Sequence, residues 1–309
     1  GAPGGVLAQR GGAGTVALSE PSSAPSFIVA APSPHADFIA APTHIPGPLS
    51  LTRLRVKNAD LHITGADPRV ELSEELKLEG RYQLDASTLI FPTAGLTSFL
   101  VPAGSTLSLS NVSPTTQLPF FIAGIFSLES AVSAASMTIS GQLTAGALSV
   151  MQDLTIAAGG RLVAPAGLPE GMRLDVVGNA TVASGGRIEL TGKGYAPGQG
   201  PGASASHTSG ADSTGGAGHG GSGGLARGAN ALFDFRGGPA YDSLENPVLP
   251  GSGGGNTSLD CGFGGGALVA RVTGQLTLNG SITADGISGL VFAQTGGGSG
   301  GTVNITAGS

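Results

Sequence analysis

The chain has 309 residues, of which 55 are Gly and 20 are Pro; only 11% are charged and none is Trp. A net charge of −6, with no basic stripe interleaved with aromatics, denies the chain the electrostatic footprint of a nucleic-acid binder. Scarce Lys, Glu and Arg argue against surface helices, whereas abundant Thr, Val, Leu, Ile and Gly suit strands and tight turns. The composition therefore predicts an all-β protein.

Starting at Gly1 with neither Met nor a basic–apolar leader, the chain reads as a mature or excised segment. Residues 1–48 are rich in Pro, Ala, Ser and Gly, with apolar phrases such as Phe27-Ile28-Val29 and Phe38-Ile39. Pro denies ladder hydrogen bonds, so an extended arm with edge-strand pieces is expected here.

Residues 49–191 carry period-2 apolar pairs in quick succession. Leu54/Val56, Leu61/Ile63, Val70/Leu72, Leu76/Leu78, Leu89/Phe91 and Phe99/Val101 open the series. Leu107/Leu109, Met137/Ile139, Leu148/Val150, Leu154/Ile156, Leu174/Val176 and Ile188/Leu190 continue it. Each pair points two side chains to one face, and the next Gly, Asn or Pro bends the chain. The longest apolar run here, Phe120 to Phe126, falls well short of the roughly 20 residues that cross a bilayer, so no membrane span is expected.

Two phrases recur. Met137-Thr138-Ile139-Ser140-Gly141-Gln142-Leu143-Thr144-Ala145 returns as Leu276-Thr277-Leu278-Asn279-Gly280-Ser281-Ile282-Thr283-Ala284. A sister phrase, Ile156-Ala157-Ala158-Gly159-Gly160-Arg161-Leu162, returns as Val182-Ala183-Ser184-Gly185-Gly186-Arg187-Ile188, with a looser copy from Val101 to Leu107. Strands this short cannot bury an apolar face alone, so copies must stack. Self-similarity at roughly 20–30 residues predicts a parallel β-helix or solenoid. A sandwich would need longer strands and hairpin signals that are sparse here.

Residues 192–265 change character: Gly, Ser and Ala dominate, yet Phe233, Phe235, Tyr241, Leu244 and Phe263 are present. A loop this long is normally functional or disordered. The aromatics favour an ordered insertion with polyproline-like backbone packed on the solenoid. Residues 266–309 resume the strand phrases as final solenoid coils. An open edge there would invite pairing with another chain, so end-to-end self-association is expected.

The stretch from Ala180 to Ser309 resembles a Gly-rich β-solenoid repeat family of large bacterial surface or secreted proteins. Ala183-Ser184-Gly185-Gly186-Arg187-Ile188, Gly192-Lys193-Gly194-Tyr195, Gly220-Gly221-Ser222-Gly223-Gly224 and Tyr241-Asp242-Ser243-Leu244-Glu245-Asn246-Pro247 carry the likeness. It continues through Pro250-Gly251-Ser252-Gly253-Gly254-Gly255, Gly264-Gly265-Gly266-Ala267, Gly274 to Ile282 and Gly297-Gly298-Ser299-Gly300-Gly301. The resemblance implies a repeated extracellular structural or adhesive module, and brings no catalytic residues with it.

Reactive groups do not converge. Asp60 and Asp85, Glu129 and Asp153, and Asp153 and Asp175 are spaced near one rung, where stacked carboxylates would bind Ca2+ or act on a sugar. No other cofactor is expected. His35, His44, His62, His207 and His219 lack the i, i+4 or His-x-His spacing of a metal site and read as structural or solvated. Gly215 to Gly224 lacks the Gly-Lys-Ser/Thr ending of a phosphate loop. Cys261 is the only cysteine, so no intrachain disulfide forms.

Three functions follow as expectations. The first is a non-catalytic extracellular structural or adhesive module at the cell surface, part of a fibre, sheath or adhesin. Its partners would be copies of itself, neighbouring repeats or surface glycans. The second is a polysaccharide lyase or hydrolase on a parallel β-helix, using Asp153 or Asp175. The third is glycan binding on Tyr195, Phe235 and Tyr241. Arg161 and Arg187, each following a Gly-Gly pair, join those three aromatics as the candidate self-association or ligand surface.

Overall fold

The computed structural model describes residues 14–18, 26–30, 43–57, 60–66, 69–79, 83–85, 88–90, 98–104, 106–109, 117–128, 130–204, 214–227, 234–255, 261–289 and 295–308, some strand residues by backbone alone. Among them there is no helix, and most strands run three to five residues. The lack of helix among the described residues agrees with the all-β reading, and most described pairings are parallel. The chain forms two compact units: Gly1–Ala145 with Ser149–Arg161, and Gly146–Leu148 with Leu162–Ser309.

In the first unit, Gly14–Leu18 and Ser26–Ala30, within the stretch expected as an arm, are strands paired antiparallel. Ser26–Ala30 then runs parallel to Leu49–Lys57, which pairs with Arg69–Glu79, and that with Thr88–Ile90. A second parallel sheet joins Thr43–Pro46, Asp60–Thr64 and Gln83–Asp85. Leu61 and Ile63 face inward there and are buried, with His62 between them on the outer face.

From Phe99 onward each pass of the chain lays down very short strands. Phe99–Val101, Phe120–Ile122, Met137–Ile139 and Leu154–Ile156 stack in register. Thr106–Leu109, Ile125–Leu128 and Gln142–Thr144 form a second wall. Identical inward positions therefore line up in columns. Phe99, Phe120, Met137 and Leu154 make one; Val101, Ile122, Ile139 and Ile156 a second; Leu107, Phe126 and Leu143 a third; all are buried. The rings of Phe99 and Phe120 lie 4.6 Å apart. Fully burying such side chains is worth about 1.5–3 kcal/mol each, which is how three-residue strands become stable. Phe120, Met137 and Leu154 follow one another at 17 residues, a shorter step than the phrases led one to expect.

The recurring phrases are corners. The amides of Ser140 and Gly141 both donate to the carbonyl of Ile122, and those of Ala123 and Gly124 both donate to Val101. In the second unit Asn279 and Gly280 donate to Val182 in the same way. The chain passes so close to the row beside it that a Cβ on Gly141 would overlap the Gly124 carbonyl. The sister phrase closes a tighter bend: Gly186 N–H donates to Ala183 C=O at 2.8 Å, with Gly185 at φ +81°. That is the third position of a type II turn, where φ must be positive. Ala157 to Gly160 repeats it.

In the second unit the 12-residue strand Ala267–Leu278 pairs with Met172–Val176 along one part of its length and with Ala180–Val182 along another. Ser281–Thr283 pairs with Arg187–Glu189, setting Ile282 on Ile188. The Leu276 phrase thus lies on the sister phrase that begins at Val182, although 96 residues separate Asn179 from its hydrogen-bond partner Gln275. Thr302–Gly308 pairs with Ala267–Leu278 as well.

Candidate functional site

The intervening Gly-rich segment contains a densely hydrogen-bonded core. From Gly251 to Gly255, consecutive amides donate to Gly265 O, Ser299 Oγ, Gln199 O, Gly262 O and Gly215 O. A β-strand offers its amides to two neighbours in alternation. Here they fan out to four separate stretches, the pattern of an extended chain with about three residues per turn. All five residues are buried. Side chains would prevent this packing: a Cβ on Gly253 would meet the Ala196 carbonyl, and one on Gly254 the Gly296 carbonyl.

Buried hydroxyls fill the gaps, as buried polar groups require. Ser204 Oγ donates to Gly215 O at 2.7 Å, Thr302 Oγ1 to Leu249 O at 2.7 Å, and Gly202 N–H to Ser252 Oγ at 2.9 Å. Cys261 is buried 3.7 Å from Thr214 Oγ1.

Beside this core lies a cavity of about 570 Å3, walled by His219, Tyr241, Asp242, Leu244, Thr302 and Val303 among others. Asp242 adopts φ +70°, uncommon for a residue with a side chain. Its carboxylate earns that conformation by tying a loop: Oδ1 accepts from Ser243 N–H, and Oδ2 accepts from Val248 and Leu249 N–H at 2.9 and 2.8 Å. Burial opposes its ionisation, but the Leu249, Ser243 and Val248 amides together with His219 outweigh it and hold the carboxyl below its ordinary range. His219 Nε2 lies 3.5 Å from Oδ2, the two side chains being 11% and 7% exposed. His219 Nδ1 donates to the Gly300 carbonyl at 2.8 Å.

The Tyr241 ring stacks against His219 at 4.6 Å. Its hydroxyl donates to Pro250 O and accepts from Ser252 Oγ. Burial, with Tyr195 and Asp242 nearby, raises the phenol above its usual pKa against the hydrogen bonds of Ser252 and Ser299. Ser243 Oγ accepts the Asn246 amide at 3.0 Å and rounds off the loop, whose Leu244 is 90% exposed. The polar atoms of His219, Tyr241 and Asp242 are thus engaged in holding loop and core together. Chemically the arrangement is an anchor beside a cavity.

Of the residues expected as stacking platforms, Tyr195 and Tyr241 are half-buried; Gly200 packs on the Tyr195 ring and Gly202 on that of Tyr241, which also walls the cavity. Phe235 sits in the two-residue strand Asp234–Phe235, antiparallel to Ala226–Arg227, and its side chain is outside the described ones. Arg161 lies in the first unit and Arg187 in the second, both exposed. Asp153 and Asp175 are likewise divided between the units, and Asp175 stands opposite Arg271. Asp85 is in register with His62 rather than Asp60, and Glu129 lies outside the described residues. Among the described residues, no group of three or more His, Cys, Asp or Glu is placed to hold a metal ion. Nor is any described helix long and apolar enough to cross a membrane. Sequence reasoning missed the His219–Asp242 pairing, because Gly-rich spacing carries no period from which to read it.

Fold and site together define an all-β, parallel-stranded protein with a glycine-packed second unit. Comparison with protein-family models, curated proteins and solved structures returns no match.

Proposed function

We propose that the chain is a non-catalytic, extracellular β-solenoid module that builds a surface fibre, sheath or adhesin by adding further parallel rungs, from neighbouring repeats or from other copies. One observation carries this reading: the last copy of the apolar phrase, Leu276 to Ile282, repeats a buried one but is itself partly exposed. Val182 and Ile188 are buried, whereas Leu278, in register with Val182, is 45% exposed, and Leu276 and Ile282 are half-exposed. Ser281–Thr283 pairs on one side only among the described strands. Such an edge presents both unpaired backbone groups and an apolar stripe, the combination that recruits another strand.

The packing of the half-buried Tyr195 and Tyr241 against Gly200 and Gly202, and the engagement of the His219–Asp242 polar atoms in structural bonds, support a scaffold rather than a reaction centre. Leu278→Lys tests the reading by light scattering over a concentration series. The native chain should assemble with rising concentration and the variant should remain monomeric. A native chain that stays monomeric throughout overturns the proposal.

A further inference from the structure

We infer that His44 and His62 form a two-imidazole site for a divalent transition-metal cation of the Zn2+ or Ni2+ class on the outer face of the first unit. Thr43–Pro46 and Asp60–Thr64 are neighbouring parallel strands, and their register sets His44 directly beside His62. Side chains alternate across a strand, so with Leu61 and Ile63 buried, His62 projects outward. His62 is half-buried and His44 exposed.

The ring centres lie 5.1 Å apart with the planes tilted by 47°. Two imidazoles bound to one tetrahedral cation at about 2.0–2.1 Å place their ring centres roughly 5 Å apart. The observed ring-centre separation falls at that distance. The same row continues to Asp85, whose register position is beside His62. Imidazole nitrogen suits Zn2+, Ni2+ and Cu2+, and water completes an exposed coordination sphere. Spacing along the chain gave no warning, because the two positions become neighbours through strand register alone.

The full chain, freed of metal with a chelator, is titrated with ZnCl2 by calorimetry, and Cu2+ is added separately for electron paramagnetic resonance. His44→Ala and His62→Ala should each weaken Zn2+ binding at least tenfold, while His35→Ala and His207→Ala stay within about twofold of native. The Cu2+ spectrum of the native chain should show coupling to two nitrogens, and that of His44→Gln to at most one. Since His44 is exposed, His44→Gln keeps the test valid if His62→Ala fails to fold. Absence of Zn2+ binding by the native chain, or native affinity in both alanine variants, overturns the assignment. In that case the two rings are a plain stacking pair.

Discussion

Gly141 and Gly220 are the same residue in opposite surroundings. A Cβ on Gly141 would strike the carbonyls of Gly124 and Ala123, whereas one on Gly220 would meet nothing within 4 Å. Gly141→Ala should therefore cost about 2–3 kcal/mol in chemical denaturation, and Gly220→Ala less than about 0.5. Equal losses would contradict the corner geometry. Asp242 supplies a second prediction at this scale. Its folded pKa is depressed, so its stabilisation is present above the ordinary carboxylate range and disappears as pH falls through the folded value. Asp242→Asn should lower the stability of the second unit by about 2 kcal/mol at pH 7. The gap between variant and native should close in acid, and a gap unchanged with pH would refute the role given to the carboxylate.

Strands of three residues draw their stability from the columns they complete. Phe120 is fully buried between Phe99 and Met137, while its neighbour Phe121 is 44% exposed. Phe120→Ala should cost about 3–5 kcal/mol in denaturant unfolding, and Phe121→Ala within about 1. This alternation was legible in the sequence: Met137/Ile139, Leu154/Ile156 and Leu174/Val176 all turn inward, since a period of two translates directly into sheet faces. Two features were hidden. The Leu276 phrase rests on the sister phrase at Val182, because likeness of letters marks a corner and does not name the row beneath it. Tyr195 and Tyr241 press on glycines, because the lack of a side chain makes the cleft that receives them, and composition records only the Gly.

At the scale of the whole molecule, the proposed assembly rests on the exposed Leu278 row, and the Leu278→Lys comparison tests it there. The strand Ala267–Leu278 has a further bearing on how the chain reaches its fold. It joins Ala180–Val182, and Thr191 meets Asp285 across 94 residues. During synthesis at about 5–20 residues per second, the nascent edge at Val182 and Ile188 would wait roughly 5–20 seconds for its cover to emerge. Through that interval the ribosome-bound chain would offer an uncovered apolar edge to whatever lies nearby, including the same segment of a neighbouring nascent chain.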